Sequence, residues 1–258
     1  MGIEYQDMHS VLRLLMRDVQ KPPRKLLILG DAVIHFSPAA LQELANRVGF
    51  RLYQLPMSLT PHTLGEALGF SSVDTLDING KASLNVDLQQ SLPEPLVGKY
   101  DLVIDAGVLF WCFDPGVVLK NIFRLTATGG VIFHITALTG YFGRGYYNIH
   151  PRLLEDFYLM NQCVFIQSSF RTKPRPTFKR KAFRFLKKIL RLVEPSDPGI
   201  TYRDATESVY LGKANHNLIE FQESCSYCEA DMIPNNVVFT FACRKAIERE
   251  PASPSQTC

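Results

Sequence analysis

Carboxylates closing short apolar runs are the residues of this 258-residue chain best placed to do chemistry. Asp31 follows Gly30 at the end of Lys25-Leu-Leu-Ile-Leu29, Asp77 closes Ser72-Val-Asp-Thr-Leu-Asp77, and Asp105 closes Tyr100-Asp-Leu-Val-Ile-Asp105. Asp87 and Leu88 end a further short extended piece that begins near Leu84. A carboxylate at a strand end either accepts hydrogen bonds from a ligand or caps a turn. A second concentration is Gly140-Tyr-Phe-Gly-Arg-Gly-Tyr-Tyr-Asn-Ile-His150, where three glycines give mobility, Arg144 an anion clamp, Tyr146 and Tyr147 phenol donors and His150 a base. The competing reading is a loop whose tyrosines pack on a sheet and whose histidine only precedes a helix.

The six cysteines are scattered, and Cys225 and Cys228 form the single Cys-x-x-Cys pair. A tetrahedral zinc site needs four ligands, and a second pair is missing although His216 is near, so no metal is expected.

These residues need elements to hold them. Met8, Val11, Leu12, Leu15, Met16 and Val19 recur at helical spacing before Pro22-Pro23, which predicts a leading helix over about 7–20. Lys25 to Gly30 reads as a strand buried on both faces. Ser37-Pro38 starts a helix that ends at Gly49, and Thr60-Pro61 starts another to Leu68-Gly69. Strands follow at 72–77 and 100–107, Asp114-Pro115 opens a helix through Leu125, and Thr128-Gly-Gly130 reads as a turn before a strand over 131–136. His150-Pro151 begins a last helix to Met160, and 162–170 and 237–243 read as late strands. Alternating strands and helices predict a Rossmann-like α/β fold: a doubly wound, mostly parallel sheet of about seven strands with helices on both faces. The expected organisation is a leading helix at 1–23, the core at 24–170, a basic insertion at 171–200, completing strands at 201–247 and a disordered tail at 248–258.

Over about residues 24 to 160 this order of pieces resembles the class I S-adenosylmethionine-dependent methyltransferases. The carriers are Leu26 to Gly30, Asp77, Asn85-Val-Asp87-Leu88, Lys99 to Leu109, Asp114-Pro115 and Ala127-Thr-Gly-Gly130. The resemblance implies S-adenosylmethionine as cofactor, held by Gly30, Asp31, Asp77, Ile78, Asp87, Leu88, Asp105 and Gly107. Asp77 would take the ribose hydroxyls, Asp87 and Leu88 the adenine, and Asp105 and Gly107 the crevice floor. Trp111, Arg144, Tyr146, Tyr147 and His150 would line the substrate side; no catalytic residue is assigned.

Two departures bear on activity. Gly30-Asp-Ala-Val-Ile-His35 has one glycine where active relatives are glycine-rich, which removes the usual backbone cradle. Phe110-Trp111 stands where the family often has a polar pair such as Glu-His, so acid or base chemistry is lost there and stacking remains, although burial in the core is the default for Trp111. Two functions stay open: a methyltransferase acting on an oxygen or nitrogen nucleophile, or a binding or scaffold protein that kept the fold.

Charge is unevenly spread. Ten of the 28 basic residues fall between Arg171 and Arg191 with no acid among them, leaving 18 basic against 25 acidic residues elsewhere. Helical projection over 178–193 puts Phe178, Ala182, Phe185, Leu186, Ile189, Leu190 and Val193 opposite Arg180, Lys181, Arg184, Lys187, Lys188 and Arg191. Such a helix could lie on an anionic membrane, bind a polyanion, or pack its apolar side on its own domain. No nucleic-acid motif accompanies the charge, so nucleic acid is disfavoured; membrane attachment would suit a lipid-linked or glycan-linked substrate. Glu4 and Asp7 stand where a secretory leader would be positive, so a cytoplasmic location is expected, with peripheral attachment at a membrane as a variant.

Overall fold

Apolar runs too continuous to leave one side wet become the middle of a sheet. A computed structural model describes residues 2–18, 25–141, 144–171 and 237–254. The elements are β1 (Gly2–Ile3), α1 (Tyr5–Asp18), β2 (Lys25–Leu29), β3 (Val33–Ile34), α2 (Pro38–Val48), α3 (Pro61–Ala67), β4 (Ser72–Asp77), β5 (Leu84–Asn85), β6 (Tyr100–Asp105), α4 (Pro115–Leu125), β7 (Thr126–Thr139), α5 (Pro151–Met160), β8 (Cys163–Arg171) and β9 (Val237–Lys245). The basic stretch 178–193, His216, Cys225 and Cys228 lie outside the described residues.

Seven strands form one sheet in the order β5-β4-β2-β6-β7-β9-β8. The first five are parallel, and β9 runs antiparallel to both β7 and β8. Alternate residues feed two cores. Leu27, Leu29, Val103 and Ile132 pack with Val118, Leu119 and Ile122 of α4 and Leu154 and Phe157 of α5. Leu26, Ile28, Leu102 and Phe133 face the other way, against Met8 and Leu12 of α1, Leu41 and Leu44 of α2 and Leu64 of α3. The result is the doubly wound Rossmann-like sheet the patterning predicts.

Local chemistry sets the helix starts. Ser37 accepts from the Ala40 amide, Asp114 from Val117, and Thr60 and Thr63 cap each other reciprocally, each start followed by proline at the first helical position. Gly49, in the left-handed region at φ 79°, ends α2.

The structure departs from the patterning in four places. Thr128-Gly-Gly130 is not a turn between elements but part of β7, which starts directly after α4; its pairing with β6 shifts register between Tyr100 and Leu102, opposite Thr126 and Val131, and Gly129 lies in that interval at φ +82°. The extended piece at 84–88 shrinks to β5. The two-residue β1–β3 pair is too short to leave a periodic trace. Residues 248–254, expected as a loose tail, are packed down instead. Buried Asn161 exchanges hydrogen bonds with the backbone of Ala252 at 2.8 and 2.9 Å, Glu250 pairs with Arg124, and Pro251 is buried. Among the described residues no helix is long and apolar enough to cross a membrane.

Candidate functional site

Because β2, β4 and β6 are parallel and in step, their carboxyl ends reach one level: Leu29 pairs with Leu76 on one side and Asp105 on the other. The chain leaves β2 towards β4 and later enters β6 on the opposite side, so the change of direction opens a crevice above β2. Gly30 sits there at φ +87°, and a Cβ on it would lie 2.9 Å from Val108 Cγ2 and 3.9 Å from Asp77 Oδ2. Its bare Cα therefore keeps the end of β2 open towards Asp77.

Asp77 is half-buried. Its Oδ2 accepts from the Asp31 amide at 2.8 Å and its Oδ1 from the Asn79 amide at 3.0 Å. A carboxylate has about four acceptor positions, so two remain for a ligand after its own turn is satisfied. Asp31 and Ile78 are exposed beside it. Asp87 is also half-buried and accepts from the Gln89 amide at 2.8 Å. Leu88 differs from its expected part: its side chain is in the core, and its carbonyl accepts from buried Asn121 Nδ2 at 2.8 Å.

Asp105 turns inward rather than into the crevice. It is fully buried; Oδ1 accepts from the amides of Gly107 (3.0 Å), Val108 (2.6 Å) and Leu109 (3.4 Å), and Oδ2 meets His134 Nδ1 at 2.8 Å. His134 Nε2 meets the Tyr158 hydroxyl at 2.7 Å, and both residues are buried. Burial raises the Tyr158 phenol, so it stays protonated. The Asp105 carboxylate accepts, which assigns the ring proton to Nδ1 and leaves Nε2 of the neutral imidazole to accept from the Tyr158 hydroxyl. With its oxygens so occupied, Asp105 shapes the crevice indirectly by pinning the turn at 107–109. Gly107, buried at φ +89°, belongs to that turn.

Cys112, beyond that turn, is half-buried. Burial first, then the negative charges of Asp105, Asp87 and Asp77, push its thiol up to about 12. Among the described residues no group of three or more His, Cys, Asp or Glu is arranged to hold a metal ion.

Beside the crevice stands a ledge of aromatic rings. Phe110 is buried, but Trp111 is 47% exposed, against the default of core burial, and Phe113 and Tyr146 are 72% and 67% exposed. The Phe113 and Tyr146 rings meet edge to face, 5.9 Å apart at 86°, with Tyr147 6.4 Å from Tyr146. Two loops are fastened together here. Tyr146 and Tyr147 amides donate to the Phe110 carbonyl (2.8 and 3.3 Å), the Tyr147 hydroxyl donates to the Phe113 carbonyl (2.9 Å), and a Cβ on Gly145 would run into the Phe110 ring at 2.3 Å. Gln89 ties the ledge to Asp87, its Oε1 accepting from the Phe113 and Asp114 amides at 2.8 and 3.0 Å.

Other expected substrate-side residues fall differently. His150 caps α5, its Nδ1 accepting from the Arg152 amide at 3.2 Å. Arg144 is exposed, and its amide closes a turn onto the Tyr141 carbonyl. Sequence reading missed Phe113, Gln89, His134 and Tyr158. His134 carried a signal, as a lone polar ring in the buried run Val131 to Ile135, and Tyr158 shares the apolar side of α5 with Leu154 and Phe157.

No protein-family profile matches the chain, and no curated protein sequence matches it. Solved structures do resemble it. A SAM dependent methyltransferase from Archaeoglobus fulgidus is 12% identical with a TM-score of 0.43, over 93% of this chain and 94% of that one. The MccD protein is 11% identical with a TM-score of 0.41, over 93% and 97%. Haemonchus contortus phosphoethanolamine N-methyltransferase 2, solved with S-adenosyl-L-methionine, is 12% identical with a TM-score of 0.42; this chain, covered over 93%, spans 52% of that one.

Proposed function

We propose that the crevice binds S-adenosylmethionine and that the chain is a methyltransferase acting on an oxygen or nitrogen nucleophile. The observation that carries this reading is the level end of the parallel strands, where Gly30 keeps the space beside Asp77 open and Asp77 retains spare acceptor positions. A nucleoside attached to a sulfonium suits such a place: the spare acceptor positions of Asp77 fit a ribose diol, and the acidic surroundings favour the positive sulfur. The opening that a Cβ at Gly30 would fill gives the ligand its approach to Asp77.

When bound, S-adenosylmethionine supplies an already activated methyl group whose departure leaves a neutral thioether. The chain's own residues then need only bind, orient and align, because in-line approach and proximity supply most of the acceleration. Asp77 and Asp87 hold the nucleoside; the turn pinned by Asp105 forms the wall beside Val108; the acceptor gives its proton to solvent.

The single-glycine loop and the two hydrogen bonds Asp77 already accepts from its own surroundings favour a second reading, a binding or scaffold protein on the same fold. Calorimetry separates the two. Under the first reading, S-adenosylmethionine and its demethylated product both release or absorb heat on titration, and Asp77→Ala weakens binding by at least about tenfold, as loss of charge-assisted hydrogen bonds implies. No heat and no thermal shift with millimolar ligand would end the methyltransferase reading.

A further inference from the structure

We infer that the ledge of Trp111, Phe113, Tyr146 and Tyr147 seats the methyl acceptor, and that the acceptor carries a planar aromatic ring; the acceptor role rests on the methyl-transfer reading above. Three observations lead there. First, the rings are exposed on loops that are tied down. The bonds from Tyr146 and Tyr147 to Phe110, from Tyr147 to Phe113 and from Phe113 to Gln89 hold both loops, so apolar surface is presented to solvent by a braced structure, as binding surfaces are.

Second, the ledge adjoins the crevice. Trp111 and Phe113 follow closely on the turn at 107–109 that Asp105 pins, and Gln89 joins Phe113 to the segment of Asp87. A molecule on the ledge therefore lies beside the place where the cofactor would be. Third, the corner made by Phe113 and Tyr146, at 86°, lets a flat guest stack on one ring while its edge meets the face of the other. Several of the polar groups beside the rings are already engaged: Tyr147 on the Phe113 carbonyl, Gln89 on two amides, Asp114 Oδ1 on the Val117 amide. Recognition on the ledge is thus by ring faces.

Trp111 is the chain's single tryptophan, so full-length protein grown with 5-fluorotryptophan gives one fluorine resonance, placed on the ledge. Adding 2-naphthol should shift that resonance saturably, and methyl α-D-glucopyranoside should leave it unmoved. Phe113→Ala or Tyr146→Ala should each weaken the naphthol response about tenfold, the effect of losing one ring contact with its buried area. A resonance indifferent to naphthol, a response unchanged in both variants, or a saturable response to the glucoside would each overturn the inference. The wild-type ligand comparison decides the matter even if a variant fails to fold. Calorimetry with S-adenosylmethionine on the same protein keeps the two readings apart. Naphthol binding with a silent cofactor titration retains the ring seat and overturns methyl transfer; cofactor binding with no naphthol response overturns the ledge alone.

Discussion

Replacing His134 by Phe keeps an aromatic ring of similar size between β7 and α5 but removes both polar atoms of the buried relay. Two partners are then stranded. Asp105 Oδ2 loses its 2.8 Å donor in a fully buried place, although Oδ1 keeps its three amides, and the Tyr158 hydroxyl loses its 2.7 Å acceptor. An unsatisfied buried hydroxyl costs about 1–3 kcal/mol, and the charged partner costs more, so a total of about 3–5 kcal/mol is expected. That is a large share of the roughly 5–15 kcal/mol by which domains are stable. Urea unfolding followed by circular dichroism measures it. The double variant carries the sharper test. Tyr158→Phe alone should cost about 1–3 kcal/mol by stranding Nε2, yet in the His134→Phe background it should be neutral or restore stability, because it removes the orphaned hydroxyl. A loss under about 1 kcal/mol for His134→Phe, or an equal cost of Tyr158→Phe in both backgrounds, would refute the relay as described.

Gly30→Ala should lower stability by about 1–3 kcal/mol, because φ +87° strains an L-residue and the new Cβ meets Val108 Cγ2 at 2.9 Å. It should also weaken S-adenosylmethionine binding in calorimetry; Val108→Ala in the same chain would ease the contact but not the φ. At the other end of the sheet, burial alone would raise the Asp74 carboxyl, but hydrogen bonds from Lys99 and Tyr100 outweigh it and hold the group below its ordinary 3.8. A folded-state value below the unfolded one adds stability above 3.8 that fades as pH falls beneath it. Lys99→Met removes one donor and leaves the burial, so the folded-state value moves back up towards 3.8: stability near neutral pH should be lower and its fall below 3.8 shallower than in the parent, as urea midpoints across an acid series would reveal. The basic residues at 178–193 should carry the full-length protein up a gradient with phosphatidylserine vesicles at low salt, each near-surface charge contributing about 1 kcal/mol, and high salt should release it. Failure to float would remove the membrane reading.

How much was legible beforehand follows from where each cause resides. The strands of the parallel core and the starts of α2, α3 and α4 were readable, since a run of apolar residues, a capping side chain and a following proline act within a few positions. Asp77 beside Gly30 was readable as a strand-end acid near a glycine, because parallel strands align their ends. Sequence order alone therefore determined the sheet, its two cores and the presence of acids along one edge. Only the tertiary structure decided which way each acid faces. Asp105 turns inward because its partner, 29 positions along the chain, is the imidazole of His134, itself held by a tyrosine 24 positions further on. Trp111 stays out because Phe110 occupies the core place and the loop of Tyr146 and Tyr147 fastens to that same Phe110 carbonyl. Period and capping are local properties of a chain, whereas the direction of a side chain at a strand end is set by partners that only folding brings near.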